Sequence, residues 1–210
     1  MRKATIENIF RLLSKKHSNP QTELKYRNKY TFLISVILSA QATDISVNKS
    51  TIHLFKIIKN PKAMIKLGED DLKKYIKSIG LYNSKAKNII KLSKVLVNKY
   101  NSKIPKDFKA LTSLPGVGNK TASVYQNTIL NMPRIAVDTH VFRVSNRIGL
   151  TKTKSADDTQ SVLEKIVPQK WLMTAHHLLI FHGRRICKAQ KPLCESCSVY
   201  KYCNYKKYKK

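Results

Sequence analysis

Apolar residues recur at three- and four-residue intervals along almost the whole chain, and no run alternates between apolar and polar positions for long. That periodicity predicts an all-α protein. Ile6, Ile9, Phe10 and Leu13 share one face of an N-terminal helix. Phe32 to Ala40 is too apolar for a surface position and predicts a central core helix. A third helix fits Ser46 to Ile58, ending before Asn60-Pro61, where proline stops propagation. A short helix near Glu69 to Ser78 leads into the turn Ile79-Gly80-Leu81-Tyr82. Asn83 or Ser84 then caps a helix from Lys85 to Tyr100, with Ala86, Ile89, Ile90, Leu96 and Val97 facing inward. Two helices flank Leu114-Pro115-Gly116-Val117-Gly118, and others fit Thr139 to Ile148, Asp157 to Ile166 and Leu172 to Gly183.

Length and composition then bound the possibilities. At 210 residues and 42% hydrophobic content, one large or two small domains can bury a proper core, which excludes disordered and collagen-like classes. The apolar stretch from Phe32 to Ala40 is broken by Ser35 and Ser39 and is far short of a membrane span. No small-residue cleavage site follows the first helix, so a cytoplasmic protein with no membrane partner is expected. The formal charge is +29, which favours a polyanionic partner, nucleic acid above all. Lysine supplies 33 of the 41 cations in a chain also rich in Ile and Asn, so biased genome composition accounts for part of that charge. There is no internal repeat, and the tail from Lys206 to Lys210 is expected to fray.

Three groups of residues carry candidate chemistry. Cys187, Cys194, Cys197 and Cys203 are the only cysteines and fall within one loop, spaced C-x6-C-x2-C-x5-C. Four thiolates so close suit tetrahedral zinc or an iron-sulfur cluster, and spacing does not choose between them; two disulfides are disfavoured in a cytosolic chain. Lys191 and its basic neighbours on that loop offer contacts to phosphate. The second group is the hairpin Leu114-Pro115-Gly116-Val117-Gly118. Its glycines allow a tight turn with positive φ and close approach of a ligand, and the following helix start aims free N–H groups at a phosphate. Lys120 stands in the first turn of that helix, where the dipole and nearby cations disfavour the ammonium and make a nucleophilic amine possible, although a lysine after a glycine hairpin is by itself more often another phosphate contact. In the third group, Asp138 opens a helix in Val137-Asp138-Thr139-His140-Val141-Phe142-Arg143. It reads as an N-cap whose fixed carboxylate also stabilises developing positive charge or serves as a base.

These motifs, in this order, resemble the endonuclease III family of DNA glycosylases and AP lyases, within the helix-hairpin-helix, Gly/Pro-rich loop, Asp superfamily. Leu38-Ser39-Ala40-Gln41-Ala42-Thr43-Asp44 and the stretch from Tyr75 to Ala86 also look like family segments, so the resemblance covers nearly the whole chain. It implies a six-helix barrel over 23–132 containing the hairpin, and a discontinuous iron-sulfur cluster domain from 1–22 and 133–210. It implies Lys120 as the amine that forms a Schiff base at C1′, Asp138 as its activator, and a 4Fe-4S cluster on the four cysteines. Leu114, Gly116, Val117 and Gly118 would grip the DNA backbone, while Gln41 and Leu81 would fill the gap left by a flipped base. The implied substrate is duplex DNA containing oxidised pyrimidines or abasic sites, met by a monomer. Alternatives are a monofunctional glycosylase, against which Lys120 speaks, and a non-catalytic DNA-binding module. The chain departs from the family pattern at Asn119, at Tyr125-Gln126, and in a Gly/Pro-rich loop reduced to Asn131-Met132-Pro133, where Asn tolerates a left-handed backbone.

Overall fold

The computed structural model describes residues 1–18 and 21–205, so the basic tail from Lys206 to Lys210 lies outside the described residues. The described chain is all-α, with eleven α-helices and two short 3₁₀ turns. It divides into two units, one formed by Glu23–Leu130 and the other by Met1–Thr22 with Asn131–Lys210. No described helix is long and apolar enough to cross a membrane.

The first unit is built around α2 (Lys29–Leu38), in which every residue from Tyr30 to Leu38 is buried. Asn28 starts it with a capping box, its side chain accepting from Thr31 N while the Thr31 hydroxyl serves the Asn28 N–H. Helices α3 (Asp44–Ile57), α6 (Tyr82–Tyr100) and α8 (Asn119–Leu130) pack against α2, with α4 (Pro61–Leu67), α5 (Glu69–Ile76) and α7 (Phe108–Thr112) behind them. In the second unit α9 (Thr139–Ile148) packs on α11 (Ala175–Arg185) and α10 (Ala156–Ile166), and α1 (Lys3–Lys16) lies on α11. Ile6, Ile9, Phe10 and Leu13 of α1 are all buried there, as their spacing requires.

Three helix boundaries refine what the sequence pattern predicts. Asn60-Pro61 does end α3, but it also begins α4: Asn60 accepts from Ala63 N and Pro61 occupies the first helical position, where its missing N–H costs nothing. Neither Asn83 nor Ser84 caps α6, which starts earlier, at Tyr82, from a left-handed Leu81 with no side-chain cap. The last helix also starts later than its apolar pattern suggests, at Ala175, because residues 169–174 form a 3₁₀ turn and bend.

Candidate active site

The glycine hairpin joins α7 to α8. Leu114 and Val117 are its buried anchors, and Val117 N donates to Leu114 O across the turn. The two glycines have different jobs. Gly116 has φ +79°, and a Cβ there would lie 3.1 Å from Asn88 Cβ. Gly118 has no such φ, and a Cβ would meet nothing within 4 Å, so the expectation of positive φ at both glycines is corrected to Gly116 alone. Gly116 closes the turn, whereas Gly118 leaves bare backbone facing open space. Gly116→Ala should therefore cost about 1–2 kcal/mol and lower Tm by several degrees, whereas Gly118→Ala should shift Tm less; thermal melts of the two variants check this.

Lys120 follows at the second position of α8 and is exposed. The departures Tyr125 and Gln126 are absorbed into the interior behind it. Both are buried, Tyr125 beside Phe32 with ring centroids 6.3 Å apart, and Gln126 donating through Nε2 to Lys106 O at 2.9 Å.

Gln41 and Leu81 belong to the same unit and share an uncommon property. Both are non-glycine residues in the left-handed region, at φ +54° and +59°, and both are exposed. Their turns adjoin, since a Cβ on Gly80 would lie 3.6 Å from Gln41 O. Such conformations cost on the order of 1 kcal/mol or more each, so the surrounding structure must hold them.

In the other unit, residues 131–138 run without helix, turning at a left-handed Asn131 (φ +52°) that takes the role a glycine would fill. Glu164 on α10 fixes this segment, accepting from Ile135 N at 3.0 Å and pairing with Arg134 at 3.2 Å. Asp138 then caps α9, its Oδ1 accepting from Val141 N at 2.8 Å, with the residue half-buried. Burial pushes the neighbouring His140 imidazole below its ordinary range, against the opposing pull of Asp138.

The helix that Asp138 begins also holds the cysteine loop. Arg143 donates to Gly183 O at 3.0 Å and to Cys187 O at 3.1 Å. One turn later, Arg147 donates to Lys188 O at 2.7 Å and Ala189 O at 2.9 Å, while its guanidinium lies over the Tyr205 ring. Gly183 allows this close approach of α11, because a Cβ there would come 3.0 Å from His140 Cβ. Lys191 projects from the loop, exposed and left-handed at φ +46°.

All four cysteines are free thiols and line one small cavity closed by Ile148, Ile186, Pro192 and Leu193, so the disulfide alternative does not hold. Among the described residues no three His, Cys, Asp or Glu side chains are grouped to hold a single metal ion. Four cysteine thiols lining one mostly apolar cavity are the donor set that an iron-sulfur cluster requires. Burial raises the thiols of Cys194 and Cys203 and pushes Cys197 up to about 11, so a bound cluster must displace protons from them. His182 lines the same cavity, its Nε2 3.5 Å from Cys197 Sγ and its Nδ1 3.4 Å from His17 Nε2. Burial pushes His182 down to about 4, which keeps it neutral beside the sulfur. Sequence reasoning missed His17, His182 and Glu164. None has a spacing signal, because each meets its partner from a different helix.

Comparison with known proteins matches this arrangement. The profile of HhH-GPD superfamily base excision DNA repair proteins covers residues 34–169, and that of the iron-sulfur binding domain of endonuclease III covers residues 187–203. Endonuclease III of Rickettsia conorii is 55% identical over 205 residues, covering 98% of both chains. That of Escherichia coli K12 is 47% identical over 206 residues, again covering 98% of each. Among solved structures, a trapped endonuclease III–DNA covalent intermediate in an estranged-adenine complex aligns with a TM-score of 0.92 and 42% identity, over 98% of this chain and 97% of that one.

Proposed function

The chain belongs to the HhH-GPD superfamily of base excision DNA repair proteins, and within it to the endonuclease III family, and from that membership we propose residue roles and a lesion class for its reaction. The protein is a DNA N-glycosylase and AP lyase whose four cysteines bind a 4Fe-4S cluster. Its substrate is DNA, and the lesions it removes are oxidised pyrimidines. It acts as a monomer.

Lys120 is the nucleophile. Its neutral amine attacks C1′ of the extruded nucleotide, and the glycosidic electron pair leaves with the base, which takes up a proton from water. Loss of a proton from nitrogen and opening of the sugar give a Schiff base. Removal of a C2′ proton then expels the 3′ phosphate, and water releases the amine from the aldehyde left behind. Asp138 supplies a fixed carboxylate that stabilises charge developing on the sugar and accepts the proton that activates Lys120. The hairpin from Leu114 to Gly118 grips a backbone phosphate where Gly118 leaves open space beside the main chain, and Lys191 adds a second contact from the cysteine loop. Gln41 and Leu81 enter the stack where the base has left. Cys187, Cys194, Cys197 and Cys203 hold the cluster, which when bound cross-links the loop that Arg143 and Arg147 anchor.

The observation that carries this reading is Lys120 itself, an exposed amine one residue past an open glycine hairpin, in a fold that a relative was trapped in while covalently attached to DNA. A duplex with a single thymine glycol tests it. The expected products, without added alkali, are two fragments, one ending in a 3′ unsaturated aldehyde and the other beginning with a 5′ phosphate. An abasic strand left intact until alkali is added would support the monofunctional reading instead.

A further inference from the structure

Lys85 is the one lysine of this chain described as buried, 6% exposed, and it has no ion-pair partner among the described residues. Its ammonium donates instead to two backbone carbonyls, Leu38 O at 2.9 Å and Ala40 O at 2.5 Å. These oxygens lie at the end of α2, where the last carbonyls of a helix have no partners within it. The others in that turn are served from within it: Ser35 O accepts from Ser39 N, Val36 O from Ser39 Oγ, Ile37 O from Ala40 N, and Ser39 O from Ala42 N. Lys85 satisfies the remaining two, on either side of Ser39 and directly before the left-handed Gln41.

The same residue is tied to the second strained turn. Lys85 N donates to Leu81 O at 3.0 Å, closing the first turn of α6 over left-handed Leu81. One residue thus holds the Gln41 turn by its side chain and the Leu81 turn by its backbone. Burial lowers its pKa with no opposing charge, so the ion is kept there against its desolvation for the sake of these bonds. The ammonium, with three N–H donors on one atom at the end of a long stem, serves both carbonyls from residues two apart around a bend.

We propose that Lys85 is a positioning residue for base extrusion, clamping the Gln41 and Leu81 turns in the strained conformation that lets both side chains enter the DNA stack together. This rests on the wedge roles given to Gln41 and Leu81 above. The clamp joins the two family-like segments, 38–44 and 75–86, into one device.

The test compares two substrates: a thymine glycol paired in duplex, which must be extruded, and an abasic site in a single strand, which needs no wedge. Lys85→Met should slow single-turnover excision from the duplex at least tenfold while cleavage of the single strand stays within twofold. Lys85→Arg should restore most of the duplex rate, and Lys85→Gln, whose two N–H donors sit on a shorter, uncharged stem, should fall between. A 2-aminopurine placed beside the lesion should show reduced extrusion by fluorescence in the Met variant. Each protein is assayed well below its melting temperature. Equal losses on both substrates, or no loss on either, would overturn the proposal, as would failure of both Met and Gln variants to fold, which would make Lys85 a folding residue. Gln41→Ala with Leu81→Ala is the control for the wedge reading. If that double variant does not discriminate between the substrates, the wedge roles fail; if it does and Lys85→Met does not, the clamp alone fails.

Discussion

Replacing Lys120 by alanine should abolish strand cleavage at abasic sites and lower base excision by roughly 10³-fold or more, the scale on which loss of a covalent nucleophile acts. The fold should barely notice. Lys120 is exposed at the start of α8, away from the buried anchors Leu114 and Val117, and substitutions at such positions change stability by about 0.5 kcal/mol at most. Binding to undamaged duplex should weaken only by the share of one cation, about 0.9 in the slope of log affinity against log salt. Gel-resolved cleavage of an abasic duplex, together with a binding isotherm at two salt concentrations, separates these effects. A variant that cuts normally would return Lys120 to the ranks of phosphate contacts, and a variant that no longer binds would mean the loss is one of affinity.

Asp138→Asn should lower turnover by about 10² to 10³-fold, the usual consequence of removing a preorganised electrostatic group from a reacting centre. The choice of asparagine isolates charge from structure. Asp138 caps α9 by accepting from Val141 N, and an asparagine side-chain oxygen makes the same bond. Helix α9 should therefore stay in place, with Arg143 and Arg147 still holding the cysteine loop, and iron content should match that of the parent protein. Asp138→Ala removes the cap as well and should cost about a further 1 kcal/mol of stability. Single-turnover excision measured beside iron content and Tm decides the matter: the Asn variant should lose rate alone, and the Ala variant both. If the Asn variant lost iron in step with rate, the carboxylate would be a structural cap and no more.

How much of this was legible in the chain depends on the range of each interaction. Periodicity sufficed for α1, whose four apolar residues are buried as spaced, and for α9, whose cap and ends are set by neighbours in sequence. The near-continuous apolar run around α2 signalled a helix buried on all sides, and burial from Tyr30 to Leu38 is what such a run requires. Local rules misled where one residue serves two purposes. Pro61 breaks α3 yet begins α4, and a polar pair at 83 and 84 suggested a cap where backbone strain at Leu81 starts α6 instead. The candidate site divides the same way. The hairpin, Lys120, Asp138 and the four cysteines stand in short motifs and could be read directly. Glu164 holding the non-helical segment before Asp138, His182 beside Cys197 and Lys85 against the carbonyls before Gln41 could not, because each partner lies 15 or more residues away. Even within the hairpin, sequence could not assign separate tasks to Gly116 and Gly118. That difference lies in what a Cβ would meet, which only the packing of Asn88 reveals.

The most direct measurement of the central claim is borohydride reduction of the protein mixed with a thymine glycol duplex, followed by proteolysis and mass mapping of the covalent adduct. The account predicts a single adduct, carried by the peptide containing Lys120 and absent from Lys120→Ala. An adduct on another amine, or strand cleavage with no adduct to trap, would contradict it.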